Sequence, residues 1–478
     1  MTFTSFNFLI FFPLIVILCY STPVKYRYVT LLTASYFFYI NIKPIFALIT
    51  AGVTLSTYLF TRLMGKTNSW PWKKRFMVIN IVLILLPLFF FKYFRNINAG
   101  IFVLLELFHL KCPLPEIKLF LPIGISFYTF MAIGYTVDVY NEEIEPEKNL
   151  GILALFVSFF PLILSGPIER AKNMLPQFKA QINLDYNMVA QGLKFMLWGY
   201  FMKLVVADRL GIYVDAIYGN IYQHNGTSLL FASFLYPFQE YADFGGYSLI
   251  AIGTARILGF NVMQNFKRPF LATSMSEFWR RWHISLISWL TDYVYTPLSF
   301  SFRKYKVWGI VIALMITFFI SGIWHGATLA FVVWGLMQGL FLSIEALTNK
   351  EKSIFEKKHN LSKKSWYVSM GVCFTFILFA ASEVFARATS INDAFTVYRR
   401  IFTVPGTLFI GRLSILIYGV FGLSILLLKD LRDEFAPSWF LLFENKHKFV
   451  RVIAYSSIII LVLLIGVFDG GQFIYYQF

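Results

Sequence analysis

Charged side chains are scarce in this sequence. Aspartate, glutamate, lysine and arginine make up 14% of its 478 residues, whereas a soluble domain carries about a quarter. Hydrophobic residues make up 58%, and the mean hydropathy is +0.65. A soluble protein cannot bury so many long apolar runs. The composition therefore excludes an ordinary soluble enzyme and predicts a membrane protein built from helical spans.

Cysteine is also rare. The three cysteines, Cys19, Cys112 and Cys373, match no metal or redox spacing. We therefore expect no structural zinc, no disulfide framework, no metal site and no permanently bound cofactor. The sequence also lacks a Ser/His/Asp triad pattern and a phosphate-binding glycine loop. A hydrolase and an ATP-driven pump consequently have no recognisable machinery here.

Positive charge exceeds negative charge by 17. Nucleic acid is one partner for a basic protein, but cytoplasmic loops of membrane proteins also collect lysine and arginine. We therefore expect contact with membrane lipids and no nucleic acid. Three basic loops, 61–75, 348–366 and 429–451, are predicted to be cytoplasmic. One further span after the third loop then places the C-terminus outside.

Apolar stretches occur along the whole chain and predict about ten to thirteen helical spans. The predicted fold class is therefore all-α, a polytopic transmembrane protein in a single domain, 1–478, with its motifs in 118–346 and its last spans and tail in 367–478. Segment 264–300 is amphipathic, which is typical of re-entrant or interfacial helices. The first run, 6–20, lacks the features of a cleaved signal peptide and is interpreted as a retained span.

A histidine within the membrane-spanning region is the sharpest candidate for chemistry. His325 lies in the stretch Ser321–Ala327 between two apolar arms. Gly322 and Gly326 remove side-chain bulk around it, which permits close helix packing or the approach of a ligand. Imidazole is suited to general-base catalysis because its pKa is near physiological pH. The alternative is an inert, hydrogen-bonded histidine at a membrane-interface turn.

A second candidate is the stretch Ser274–Leu286. Ser274 and Glu277 form a capping-box pattern, and the residues that follow predict an amphipathic helix near the cytoplasmic surface. Arg280 and Arg281 are candidates for holding phosphates, and His283 for a catalytic or orienting role. The alternative is an interfacial anchor whose arginines meet lipid phosphate.

A third candidate is Asp243, in the stretch Tyr241–Ser248. An aspartate followed by Gly245 and Gly246 in an apolar region predicts a broken helix that lines a cavity. The alternative is a structural ion pair between Asp243 and a nearby arginine.

These motifs together resemble the membrane-bound O-acyltransferase family. They are most similar to the membrane subunits of bacterial alginate O-acetylation and to their relatives for peptidoglycan and other polysaccharides. The chain departs from the pattern after Ser248, where relatives often have Asp-Met-Ala, and at Tyr476, where Phe is usual. The blocks that carry the resemblance are Leu121–Phe130, Ser165–Arg170, Tyr241–Ser248, Glu277–Leu286 and Ile323–Gly326.

The resemblance implies a fold and a mechanism. It implies a ring of helices around a central channel, with His325 as the catalytic histidine and His283 as a second functional histidine on the cytoplasmic side. It implies acetyl-CoA as the donor, an SGNH-type acetyltransferase as the extracytoplasmic partner, a polysaccharide acceptor and a bacterial inner-membrane location. The candidates for binding substrate or CoA are Arg280, Arg281, Trp324 and Asp243.

The C-terminal residues Phe473–Phe478 are similar to the Phe-Ile-Tyr-Phe-Gln-Phe ending of some relatives. We hypothesise that Tyr475 docks the partner at the outer mouth of the channel or carries acetyl transiently. Simple interfacial anchoring by aromatic side chains is the alternative.

Two other functions compete with acetyl transfer. A flippase or transporter for a lipid-linked sugar would predict a repeated half or extensive intramembrane charge, and the sequence has neither. Within the family, transfer of D-alanyl or another acyl group to a teichoic acid-like polymer is the main alternative.

Overall fold

The computed structural model describes residues 1–108, 122–439 and 443–468, and these residues form helices and connecting segments with no strand. The all-α prediction is confirmed. The chain packs as two compact units, Met1–Leu193 with Ala251–Met263, and Lys194–Ile250 with Gln264–Phe478. Two units are compatible with one domain or with two, so the single domain stays a prediction.

The first unit is held together by aromatic and hydroxyl side chains. The rings of Phe38 and Phe160 lie 5.7 Å apart, and Phe8 packs edge-on to Phe38 at 6.4 Å. Offset and edge-to-face contacts of this kind stabilise aromatic clusters. The helices of this unit are α1 (Phe6–Ser21), α2 (Val24–Ile40), α3 (Pro44–Lys66), α4 (Trp70–Leu107), α5 (Ile125–Tyr140), α6 (Leu150–Ser158), α7 (Phe160–Ile163), α8 (Ala171–Lys179) and most of α9 (Tyr186–Tyr200).

The second unit contains the two histidine motifs. Its α-helices are α10 (Asp208–Tyr218), α11 (Gly226–Ile257, whose last turns belong to the first unit), α12 (Met275–Arg281), α13 (Ile284–Leu290), α14 (Thr296–Ser301), α15 (Val307–His325), α16 (Leu329–His359), α17 (Ser365–Arg387), α18 (Ile391–Thr403), α19 (Leu413–Phe435) and α20 (Lys448–Ile465).

A π-helix, Phe201–Ala207, connects α9 to α10. A π-turn widens the helix and exposes backbone carbonyls, which must find other donors in an apolar setting. The carbonyl of Leu204 accepts a hydrogen bond from the backbone N–H of Val467 at 3.0 Å. Arg209 donates to the carbonyl of Ile465 at 2.7 Å. The end of α20 is therefore fastened to the π-helix.

Seven helices in the described residues are long and apolar enough to cross a membrane. They are α3, the first part of α4, α15, α16, α17, α19 and α20, and two shorter apolar helical stretches occur at 6–21 and 150–163. Large apolar side chains such as Leu464 and Phe374 are exposed on these helices, as expected for faces that meet lipid. The chain is a multi-pass membrane protein, and the count of ten to thirteen spans stays a prediction.

Candidate active site

His325 is the last residue of α15 and stands at the turn of a tight helical hairpin. The backbones of α15 and α16 approach closely because Gly322 faces Gly335. A Cβ on Gly322 would lie 2.5 Å from the carbonyl oxygen of Phe331 and 3.2 Å from the Cα of Gly335. Small residues permit this approach between membrane helices. The predicted role of Gly322 in close packing is confirmed.

His325, at the turn of the hairpin, is far from the basic residues at the open end of the same hairpin. Helix α15 has 19 residues and is therefore about 28 Å long. Arg303, Lys304 and Lys306 precede it, and Lys357 and Lys358 lie in the last turn of α16. His325 is thus a full helix length away from both clusters of positive charge along the hairpin.

Aromatic rings enclose the imidazole of His325. The ring of Trp324 lies 4.4 Å from it at 71°, and the ring of Trp334 lies 4.8 Å away at 72°. On its other side Trp324 is 6.2 Å from the ring of His283. His325 itself is half-buried. The structure therefore brings both predicted histidines to the same tryptophan.

Helix α12 begins as predicted. The Oγ of Ser274 accepts from the N–H of Glu277 at 3.2 Å, and the Glu277 carboxylate accepts from the N–H of Thr273 at 2.8 Å. Burial raises the pKa of Glu277, but these bonds and Arg281 outweigh it, so the pKa lies below its usual value. A negative charge at this helix end also interacts favourably with the helix dipole.

The prediction of one amphipathic helix over this stretch is wrong, because the helix is interrupted at Trp282 and His283. Helix α12 ends at Arg281, and α13 begins at Ile284. The two helices are separated because the backbone there bonds to another segment. The N–H of Lys267 donates to the carbonyl of Arg281, and that of Ile284 to the carbonyl of Asn265, both at 2.8 Å.

His283 occupies this break and is almost fully buried. Its exposed fraction is 1%, and its φ of 42° lies in the left-handed region, which is costly for a residue with a side chain. The ring is 4.6 Å from Phe244 and perpendicular to it. Burial lowers the pKa of His283 to about 3, so the ring is neutral at physiological pH.

Asn265 fixes which nitrogen of His283 carries the proton. The Oδ1 of Asn265 accepts from the N–H of Ser285 at 3.2 Å, from its hydroxyl at 2.9 Å, and from Nδ1 of His283 at 3.1 Å. A backbone N–H can only donate, so the accepting atom is the amide oxygen and Nδ1 of His283 must be the protonated nitrogen. Nε2 is then the basic nitrogen of the ring.

The two predicted phosphate-binding arginines have different surroundings. Arg281 forms ion pairs with Glu277 at 2.6 Å and with Glu434 at 2.9 Å. Glu434 also pairs with Arg268 at 2.6 Å. Arg280, in contrast, is exposed. The geometry therefore supports Arg280 as the better candidate for an anionic ligand and favours a structural role for Arg281.

Asp243 is buried in an ion cluster. The Nζ of Lys203 lies 2.7 Å from Asp243 and 2.8 Å from Asp208, and all three side chains are at most 7% exposed. The ammonium also lies 5.2 Å from the ring centre of Tyr247. One of the two predictions for Asp243 was a structural ion pair with a nearby arginine, and the observed partner is a lysine. The ion pair favours a structural role for Asp243 over direct binding of substrate.

The helix break predicted at Gly245 and Gly246 is wrong, because α11 continues through both residues. The glycines serve helix packing instead. A Cβ on Gly246 would lie 2.8 Å from the carbonyl oxygen of Gly199, and one on Gly245 would lie 3.0 Å from Cε of Met202. A double glycine in an apolar stretch marks close helix approach as readily as a bend.

Several residues at the site escaped the sequence analysis. Asn265 lies in a segment without periodicity, Glu383 is the single acidic residue of α17, and Glu240 shares α11 with Asp243. Trp334 looks like a lipid-facing or core residue in the sequence, since its indole contact with His325 depends on the hairpin. The position of the two glutamates in apolar stretches was the available signal. The predicted Tyr475 lies outside the described residues.

Comparison with known proteins identifies the family. The model of the membrane-bound O-acyltransferase family matches residues 147–384. A probable alginate O-acetylase of Pseudomonas aeruginosa is 34% identical over 415 residues, which cover 84% of this chain and 75% of that protein. The chain belongs to the membrane-bound O-acyltransferase family. Both histidines of the site fall within the matched region.

Two further relatives of this membrane-bound O-acyltransferase have other acceptors. A peptidoglycan O-acetyltransferase of Helicobacter pylori is 31% identical over 77% of this chain and 72% of that protein. A teichoic acid D-alanyltransferase of Streptococcus thermophilus is 30% identical over 53% of this chain and 65% of that protein. These relatives support acyltransferase activity in cell-envelope modification.

Proposed function

We propose that this protein is a membrane O-acetyltransferase. It takes acetyl from acetyl-CoA in the cytoplasm and passes it across the inner membrane for O-acetylation of an extracytoplasmic polysaccharide. The observation that carries the proposal is the position of His325, which stands at the turn of the α15–α16 hairpin against Trp324 and Trp334, with the ring of His283 also near Trp324.

His325 is the proposed general base. It accepts the proton of an attacking hydroxyl, whose oxygen forms a bond to the acetyl carbonyl while the carbon–sulfur bond of the thioester breaks. The proton then passes from the imidazolium to the departing CoA thiolate, which leaves as the thiol. His283, with its basic Nε2 and its Nδ1 held by Asn265, orients the reacting groups from the other side of Trp324.

The charge distribution agrees with a cytoplasmic donor. Basic residues lie at both ends of the α15–α16 hairpin, a helix length from His325. Exposed Arg280 is the candidate contact for the phosphates of CoA. Trp324 and Trp334 flank the imidazole, which limits access of water from those sides and so reduces hydrolysis of the thioester.

The acceptor hydroxyl is proposed to come from the polysaccharide or from an SGNH-type acetyltransferase partner that delivers the acetyl group. Tyr475 as a docking residue or acetyl carrier remains part of this hypothesis. The C-terminus is proposed to lie outside, where such a partner is found. Full activity of a Tyr475→Phe variant would remove the carrier role.

Transfer of D-alanyl groups is the second candidate function. The match to a teichoic acid D-alanyltransferase favours it, although that match covers 53% of the chain whereas the alginate O-acetylase match covers 84%. The wider coverage supports acetyl as the transferred group.

The proposal is tested by measuring transfer of labelled acetyl groups into envelope polymer. Labelled acetyl-CoA is supplied to the cytoplasmic face of membranes with attached envelope, which carry either the wild-type chain or His325→Ala at matched levels. We expect label in envelope polymer with the wild type and a loss of at least about 100-fold in the variant, because general-base catalysis contributes roughly 10²–10⁴-fold. Equal transfer by both proteins would exclude His325 as the base. Labelling from an activated D-alanine donor alone would establish the second candidate.

A further inference from the structure

Two glutamates meet in the apolar interior of the second unit. Glu240 of α11 is 8% exposed and Glu383 of α17 is 1% exposed. The two carboxyl groups interact electrostatically with each other. Two carboxyl groups this close in an apolar setting cannot both be ionised, so at least one of them holds a proton.

The pair is connected to the active site through a single side chain. The indole Nε1–H of Trp334 donates to Oε1 of Glu383 at 2.8 Å. The ring of Trp334 contacts the imidazole of His325, with the ring centres 4.8 Å apart. One indole thus lies between the carboxyl pair and the proposed base.

A second bond holds the same two helices in register. One turn beyond Trp334 on α16, the side chain of Gln338 donates to Oγ of Ser382 at 2.6 Å. Ser382 in turn donates to the carbonyl of Phe379 at 2.6 Å. Ser382 and Glu383, which are adjacent on α17, therefore accept the hydrogen bonds from Gln338 and Trp334 of α16. This double attachment fixes the rotation of Trp334 about the axis of its helix.

Burial makes this arrangement expensive unless it has a use. Carboxyl side chains within a membrane protein are costly, and they commonly mark functional sites. The hydrogen bond from Trp334 to Glu383 restricts the orientation of the indole.

We propose that Glu240 and Glu383 are positioning residues that fix Trp334 and, through its ring, the orientation of the imidazole of His325. The inference rests on the proposed function, because it concerns the base of that reaction. Glu383 acts through the hydrogen bond to Trp334. Glu240 acts through its carboxyl group, which interacts with that of Glu383 and keeps it facing the indole.

The test of the proposal is a measurement of initial rates. Labelled acetyl groups are transferred from acetyl-CoA into envelope polymer at varied donor concentration, with matched levels of folded protein. We expect Glu383→Leu to lower kcat by about 10-fold or more and to leave KM for acetyl-CoA within about two-fold, because a misplaced catalytic group slows chemistry without changing donor binding. Glu383→Gln should restore most of the lost kcat, since its amide keeps an acceptor for Trp334 and a donor for Glu240.

Trp334→Phe gives an independent test, because it keeps a ring beside His325 and removes the N–H donor. If Glu383 acts through that donor, the double variant Trp334→Phe/Glu383→Leu is no slower than the slower single variant. The inference is overturned if the kcat losses of the two single variants multiply in the double variant, or if Glu383→Leu keeps the wild-type kcat. In either case an inactive His325→Ala shows that the proposed function itself still holds. If the wild-type chain itself transfers no acetyl, the proposed function fails and the inference fails with it.

Discussion

Replacement of Gly322 by alanine adds one methyl group at the closest approach of α15 and α16. The new Cβ would lie 2.5 Å from the carbonyl oxygen of Phe331, where an ordinary contact needs 3.4 Å or more. The obstacle is backbone on the partner helix, so no side-chain rotation relieves it. The two helices must therefore separate by about 0.9 Å at this level.

The expected cost follows from that displacement. Overpacking of this kind destabilises a protein by roughly 1–3 kcal/mol, and the better helix propensity of alanine returns roughly 0.5–1 kcal/mol. The protein should therefore still fold. His325 lies three residues beyond Gly322 on the same helix, and a shift of about 1 Å in a catalytic group can cost about 100-fold in rate.

The assay is acetyl transfer from labelled acetyl-CoA at matched membrane levels of each protein. Gly52→Ala is the matched control, because it makes the same change in the membrane-spanning helix α3, where a Cβ meets no atom within 4 Å. We expect Gly52→Ala to retain wild-type activity and Gly322→Ala to lose about 100-fold. If Gly322→Ala transfers acetyl at a rate within two-fold of the control, close packing of the hairpin does not position His325.

Three other changes have defined outcomes. Lys203→Met leaves buried carboxylates uncompensated and should lower the free energy of unfolding by about 3–5 kcal/mol, measured as a lower melting temperature in detergent. Arg280→Gln should raise KM for acetyl-CoA, whereas Arg281→Gln should lower the amount of folded protein with KM unchanged. Because burial lowers the pKa of His283 to about 3, the unfolded chain gains a proton at His283 below about pH 6.5 that the folded chain does not take up. Stability should therefore fall as the pH drops below 6.5, with a slope that approaches about 1.4 kcal/mol per pH unit near pH 5, and His283→Asn should show a weaker fall in melting temperature over that range.

Hydropathy and glycine spacing predicted the parts of the fold that depend on local sequence. The helical class, the capping by Ser274 and the tight packing at Gly322 all follow from the identity of nearby residues. The break of the predicted surface helix at His283 does not. It depends on backbone bonds to Asn265 and Lys267, and such pairing between distant segments leaves no periodic signal.

The candidate site could be predicted only in part, because the contacts between its residues also join distant segments of the chain. The sequence identified His325 and His283 by their unusual settings, but it gave no indication that Trp324 lies between their rings. For Asp243 the sequence left substrate binding and a structural ion pair with an arginine open, and the structure favours an ion pair. Its partner, Lys203, could not be predicted because the lysine lies within a π-helical segment, whose register differs from that of an α-helix.

That π-helical segment also fixes the length of the chain between α9 and α10. An α-helix turns by about 100° per residue, so deletion of one residue between 201 and 207 would rotate α10 by about that angle relative to α9. Asp208 would turn away from Lys203, and the carbonyl that receives the N–H of Val467 would be drawn back into the helix. A one-residue deletion after Lys203 in this segment would therefore break the ion pair with Asp208 and the attachment of the end of α20 at the same time.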